Sequence, residues 1–240
     1  NYASDADALR DVLRLSRGMT YKAAVAGLDL GGGKAVIIGD PASIKGEGLF
    51  RAFGRFVESL NGRYITDEDM NTTVEDMSWI GRETRWVTGS SKHTGGSGDP
   101  SPVTAWGVFH GIRACLEVCY GSADVSGRTV AIQGLGAVGY YLAGYLHERG
   151  AKLIYSDISE RKLARVMEEF GGRVVDGDDY YSVDCDVLAP CAIGGTINAR
   201  TIPQIRAPII AGGANNQLDH EERDGELVEK AGLIFAPDYV

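Results

Sequence analysis

Apolar residues along the chain alternate between two spacings, and the change of spacing outlines its organisation. Ser4-Asp5-Ala6-Asp7 reads as a helix start, followed by Leu9, Val12, Leu13 and Leu15 and stopped at Gly18. From Glu47 to Leu60, the apolar residues at 49, 50, 53, 56, 57 and 60 trace one helical face, and Asn61-Gly62 closes it. Ala35-Val36-Ile37-Ile38, ended by Gly39-Asp40-Pro41, and Tyr64-Ile65-Thr66 read as short strands. A Gly/Ser/Pro-rich stretch from Thr94 to Pro102 marks a hinge, and a long helix from Val103 to Tyr120 follows.

Beyond that helix, strand and helix alternate regularly. Strands are predicted at 129–133, 152–156, 173–175, 187–189, 209–211 and 233–236, and helices at 137–149, 160–170 and 221–230. This βαβ rhythm predicts a parallel, doubly wound sheet. The expected architecture is α/β in two domains. Residues 1–102 are expected to form one α/β domain and residues 103–240 a Rossmann-type doubly wound domain, with a cleft between them.

Composition narrows the partners. A net charge of −9 weighs against a nucleic-acid or anionic-membrane surface, which leaves small metabolites. No run approaches the length of a membrane span, and the first residues do not read as a signal peptide. Cys115, Cys119, Cys185 and Cys191 are scattered as in a reduced, cytoplasmic protein. Cys115 and Cys119 share a helix face, but no further ligands at metal spacing accompany them, so no metal site is expected.

Gly134-Leu135-Gly136-Ala137-Val138-Gly139 directly follows a predicted strand and opens a helix. At Asp157 an acid closes the next strand, at the spacing of a ribose-binding carboxylate. The glycines allow a tight turn and close approach of a pyrophosphate, whose charge the helix N-terminus holds. Asp157 would repel a 2′-phosphate, which favours NAD over NADP. Loops after two later strands are candidates to complete the cofactor site through Cys191, Ala192, Asn215 and Asn216, although turn chemistry alone would also account for them.

Gly31-Gly32-Gly33-Lys34 lacks P-loop spacing, since Ala35 follows the lysine. Bare backbone at Gly31 and Gly32 would let a ligand lie close, with Lys34 as an acid/base or charge-stabilising group and Lys22 suited to a carboxylate. A glycine-rich turn with a solvent-facing lysine is the plainer alternative. Four histidines, at 93, 110, 147 and 220, occupy no convincing catalytic context, which weighs against a hydroxy-acid dehydrogenase.

These segments together resemble the glutamate/leucine/phenylalanine/valine dehydrogenase family. The resemblance rests on Leu15-to-Lys22, Gly31-to-Pro41, Phe50-to-Phe56, Asn61-to-Thr66, Gln133-to-Gly139, Ala189-to-Ala192 and Ala236-to-Val240. It implies that Lys22 binds the substrate α-carboxylate, that Lys34 is the catalytic lysine, that Asp69 is the acid/base aspartate, and that Thr104 lies near the nicotinamide. It further implies oxidative deamination of a hydrophobic L-amino acid to the 2-oxo acid and ammonia by a homo-oligomer. A non-catalytic NAD sensor on the same fold is the alternative, and intact Lys22, Lys34 and Asp69 argue against it. Leucine or valine relatives are suggested by Gly27-to-Leu30 and Asn216-to-Leu218, phenylalanine or tryptophan relatives by Asn71 and Gly212-to-Asn216. Asp67 departs from the small residue usual there and would favour a polar or cationic side chain if it faces the pocket; a solvated loop acid is the alternative. The chain also reads as a family core without the family's first and last segments.

Overall fold

The computed structural model describes residues 2–90 and 98–240, so His93 and residues 94–97 of the expected hinge lie outside the described residues. Two compact units divide the chain, Asn1–Pro100 and Ser101–Val240.

In the first unit four helices are present among the described residues: α1 (Asp5–Val25), α2 (Pro41–Ile44), α3 (Glu47–Ser59) and α4 (Val74–Ile80). Ser4 caps α1 by accepting the Asp7 N–H at 3.2 Å. The helix does not stop at Gly18, as its glycine suggested. A methyl group at Gly18 would meet nothing, and a glycine inside a helix costs only about 1 kcal/mol. The stop is Gly27, in the left-handed region at φ 67° just beyond the Ala26 cap. Helix α3 buries Phe50 and Val57, and Gly54 lets it approach α4 so closely that a Cβ there would lie 2.8 Å from the Ile80 carbonyl. Phe50, Met77 and Ile80 form the small core of this unit.

Two expected strands in this unit do not form ladders. Residues 35–38 form no strand among the described residues, and Ile37 and Ile38 are exposed. An extended apolar run becomes a strand only where a second chain segment satisfies its backbone groups. The run at 64–66 contributes a single bridge, Thr66 to Val87, with Thr66 N–H donating to Trp86 and Thr88 N–H donating to Thr66.

The second unit carries α5 (Ser101–Tyr120), β1 (Thr129–Gln133), α6 (Ala137–His147), β2 (Lys152–Ser156), α7 (Glu160–Phe170) and β3 (Arg173–Val174). After these come α8 (Asp179–Ser182), β4 (Val187–Pro190), β5 (Ile209–Ala211), α9 (Glu221–Lys230) and β6 (Ile234–Ala236). All six strands are parallel in the order β3-β2-β1-β4-β5-β6, the Rossmann order. Both faces are covered, as the continuous burial of β1 and β4 requires. One face packs Phe109, Ile112 and Leu116 of α5 with Leu142 and Leu146 of α6. The other packs Tyr180, Ile202, Leu218 and Val228. The order in which strands are added reverses between β1 and β4, so their carboxyl ends form the switch-point crevice where such sheets bind ligands.

Candidate functional site

Lys34 and Asp69 meet in the first unit. Lys34 Nζ forms an ion pair with Asp69 Oδ2, although the two lie in loops far apart in sequence. The aspartate is aimed by its own turn: its Oδ1 accepts the Met70 N–H at 2.7 Å, and its N–H donates to Thr72 Oγ1 at 2.7 Å. Asn71, at φ 62°, supplies the reversal. Thr72 escaped the sequence reading, although Asp-x-x-Thr is the spacing of such side-chain-locked turns. The lysine side chain is 19% exposed and the aspartate 45%, so the pair stands at the surface of its unit with one face toward solvent.

The glycine run has three different surroundings. A Cβ on Gly32 would collide with the Ser16 carbonyl and the Thr20 N–H of α1, whereas one on Gly33 would lie 2.8 Å from the Tyr64 ring. At Gly31 a Cβ would meet nothing. The bareness of Gly32 is therefore used by α1, which fixes the loop bearing Lys34 onto the helix that carries Lys22 in its last turn. Asp67 is exposed, and its Oδ1 accepts the neighbouring Glu68 N–H at 2.8 Å against Gly89.

Between Asp67 and Asp69, Glu68 has a buried Oε2 that meets no hydrogen-bond partner. Burial, then the charges of Asp99, Asp67, Asp69 and Asp76, raise its pKa. A folded-state pKa above the unfolded one favours the protonated acid, so stability falls as pH rises from the unfolded value through the folded one. Glu68→Gln is therefore expected to raise the melting temperature at about pH 7 and leave it unchanged at about pH 3, where both states are protonated. Thermal denaturation at the two pH values checks this; an equal shift at both would contradict it.

In the second unit the three fingerprint glycines separate by role. Gly134, at φ 88°, is crowded by the Ala192 backbone, 2.7 Å from where its Cβ would lie. Gly139 packs against the Gly134 carbonyl, so any side chain there would force α6 off β1. At Gly136, the N-cap of α6, a Cβ would meet no atom. Its open side is the approach a pyrophosphate needs. The first α6 bond runs from Tyr140 N–H to Gly136, so the N–H groups of Ala137, Val138 and Gly139 precede the helical ladder and suit an anion. Asp157 ties this turn to β2: its Oδ2 accepts the Leu135 N–H at 2.6 Å and its Oδ1 the Ser159 N–H at 2.8 Å.

Two loops close in beside the turn. Cys191 N–H donates to Gln133 at 2.7 Å, and its sulfur accepts the Gly213 N–H at 3.4 Å. Burial pushes the Cys191 thiol up to about 11, so it packs rather than attacks. Asn216, at φ 50°, donates its N–H to Asp238, while its buried Nδ2 meets no acceptor. An orphaned donor beside the crevice fits a carbonyl of a bound dinucleotide. Gln217, buried completely, braces the loop by donating to the Gly212 carbonyl at 2.8 Å. Its supporting role is not legible in sequence, because a buried glutamine looks like any loop polar residue. Thr104 sits exposed in the first turn of α5. His220 caps α9 by accepting the Arg223 N–H.

The family model described as the Glu/Leu/Phe/Val dehydrogenase dimerisation domain matches residues 2–86. That of Glutamate/Leucine/Phenylalanine/Valine dehydrogenase matches 95–160 and 156–240. The leucine dehydrogenase of Geobacillus stearothermophilus is 56% identical over 239 residues, covering 100% of this chain and 65% of that protein. The phenylalanine dehydrogenase of Lysinibacillus sphaericus is 49% identical over 244 residues, covering 100% of this chain and 64% of its own length. A crystal structure of L-tryptophan dehydrogenase from Nostoc punctiforme superposes with a TM-score of 0.75 at 47% identity, covering 99% of this chain and 67% of that one. The chain thus spans about two thirds of the length of these proteins.

Proposed function

The chain belongs to the Glu/Leu/Phe/Val dehydrogenase family, and from that premise we propose that it catalyses NAD-dependent, reversible oxidative deamination of a hydrophobic L-amino acid. Leucine is the first candidate, on the 56% identity to a leucine dehydrogenase. The observation that carries the chemistry is the Lys34–Asp69 pair, an amine and a carboxylate locked together by a turn.

In this reading Lys22 binds the substrate α-carboxylate, with Gly31 bare beside it. NAD, held at the turn of Gly134, Gly136 and Gly139, would supply the hydride acceptor for the substrate α-carbon, so that the substrate reaches Lys34 and Asp69 as an imine. Lys34 takes a proton from water as that water attacks the imine carbon, and its ammonium form then stabilises the developing oxyanion. Asp69 hands a proton to the substrate nitrogen and takes one back as ammonia departs. The products are the 2-oxo acid, ammonium, the reduced cofactor and one released proton, which balances one zwitterionic amino acid, one oxidised cofactor and one water.

NAD rather than NADP follows from Asp157, whose carboxylate would repel a 2′-phosphate. Asp157→Asn is expected to weaken NAD about tenfold, because it loses charge and one of the two acceptors that hold the Leu135 and Ser159 N–H groups. Michaelis constants for NAD in the two proteins check this, and equal values would contradict the assignment.

Assembly through the first unit is part of the proposal, since α1 exposes Leu9, Leu13 and Val25 and the matching model is a dimerisation domain. A cytoplasmic setting agrees with four free cysteines. None of the helices searched among the described residues is long and apolar enough to cross a membrane. The test is NADH formation from L-leucine, L-valine, L-phenylalanine, L-tryptophan and L-glutamate. Leucine and valine are expected to lead. Highest turnover with phenylalanine or tryptophan would move the specificity to the aromatic branch, and NAD binding without turnover on any of the five would favour the sensor.

A further inference from the structure

A second concave site lies on the Rossmann unit, away from the fingerprint turn. It is a cleft of about 450 Å³ between α5, the loop entering β1 and the end of α6, within the size range of small-molecule sites. The fingerprint leaves the carboxyl end of β1, whereas this loop enters its amino end. Five strand residues, about 16 Å, separate the two.

Two guanidinium groups converge in the cleft on a wall of aromatic rings. Arg149 lies 5.0 Å from the Trp106 ring and 4.8 Å from Phe109, and Arg113 lies 5.9 Å from Phe109 on the same helix. Trp106 and Phe109 stack at 5.1 Å, with His110 edge-on to both. Arg113 is half-buried, forms no ion pair among the described residues, and spends only its Nε on the Ala123 carbonyl at 3.3 Å. Both its terminal nitrogens remain available. Arg149 uses Nη1 on the Tyr145 carbonyl and Glu148, which leaves Nη2 and Nε. The one carboxylate lining the cleft, Asp124, is committed to the Ser126 N–H at 2.9 Å.

Arg149 is exposed and ion-paired to Glu148, whereas the half-buried Arg113 forms no ion pair among the described residues although Asp124 lines the cleft; an anion would complete it, and a fork of Arg donors matches carboxylate and phosphate oxygens. We infer that this cleft binds a small planar anion, an aromatic ring bearing a carboxylate or a phosphate, as a site separate from the dinucleotide turn. The two arginines take the oxygens, and the partly exposed Trp106, backed by the buried Phe109, takes the ring.

The test is calorimetric titration of the protein at saturating NADH, which fills the dinucleotide site, with benzoate, AMP and inorganic phosphate. One equivalent of benzoate or AMP is expected to bind, and whichever binds identifies the carboxylate or the nucleotide as the source. The Arg113→Gln/Arg149→Gln double variant should weaken that binding at least tenfold, with NADH affinity and melting temperature as checks on folding. Trp106→Leu, at a partly exposed position, gives an independent reading and should weaken the aromatic probes while sparing phosphate. Absence of binding by both aromatic probes, wild-type affinity in the arginine variant or in Trp106→Leu, or phosphate binding as tightly as the aromatic anions would each overturn the inference.

Discussion

Lys34→Ala is expected to lower kcat for leucine at least about a thousandfold while leaving NAD affinity unchanged. A positioned acid/base group contributes about a hundred- to ten-thousandfold, and oxyanion stabilisation by the same ammonium adds to it. A thousandfold loss corresponds to about 4 kcal/mol of transition-state free energy. Stability should move far less. Asp69 is 45% exposed, and a surface ion pair of that kind is worth about 0–1 kcal/mol. The variant therefore separates catalysis from folding: a large loss of turnover with a nearly unchanged melting temperature. Turnover within tenfold of the parent would show that Lys34 is a loop lysine and no more.

Gly139→Ala carries the second large effect. Its new methyl group would run into the Gly134 carbonyl, with Cys191 Cβ 3.5 Å away. That carbonyl cannot swing aside cheaply, because the Gly134 N–H is bonded to Ser156 at 2.8 Å and Asp157 holds the next N–H. Overpacking of this kind costs about 1–3 kcal/mol, and displacement of α6 would carry its N-terminal N–H groups away from the pyrophosphate. The expected outcome is loss of both stability and NADH binding. Gly136→Ala provides the contrast. Its methyl group meets no protein atom, so denaturant unfolding should be unchanged while NADH binding weakens. Equal behaviour of the two variants would contradict the division of roles among the three glycines.

Much of the second unit was legible in sequence, because parallel strands buried on both faces are continuous apolar runs and each ends at a turn signal. Predicted and observed strands differ by at most a residue at an end, as at Ile234, where the run had been expected to start at Leu233. The first unit was less legible. Helix α4 announces itself by the capping box Thr73-Val-Glu-Asp76, realised here by reciprocal bonds, yet its seven residues are too few to show a period. The run at 35–38 reads as a strand because a short apolar run closed by Gly39-Asp40-Pro41 records only what one segment offers, not whether a neighbour accepts it. The acidic triplet shows the same limit at the site. Asp67, Glu68 and Asp69 are equivalent on paper, and family resemblance was needed to select the third. The fold separates them physically: Asp67 holds a neighbouring N–H, Glu68 is tucked away, and Asp69 reaches Lys34. Orphaned Asn216 Nδ2 and the brace at Gln217 depend on loops packed together in space, which no local pattern encodes.

The proposed deamination rests on Lys34 and Asp69 acting together. Its most direct test is the stoichiometry of products when the protein is incubated with L-leucine and NAD. NADH, 4-methyl-2-oxopentanoate and ammonium are expected in equimolar amounts, all lost together in Asp69→Asn. NADH formed without ammonium, or equimolar products undiminished in Asp69→Asn, would contradict it.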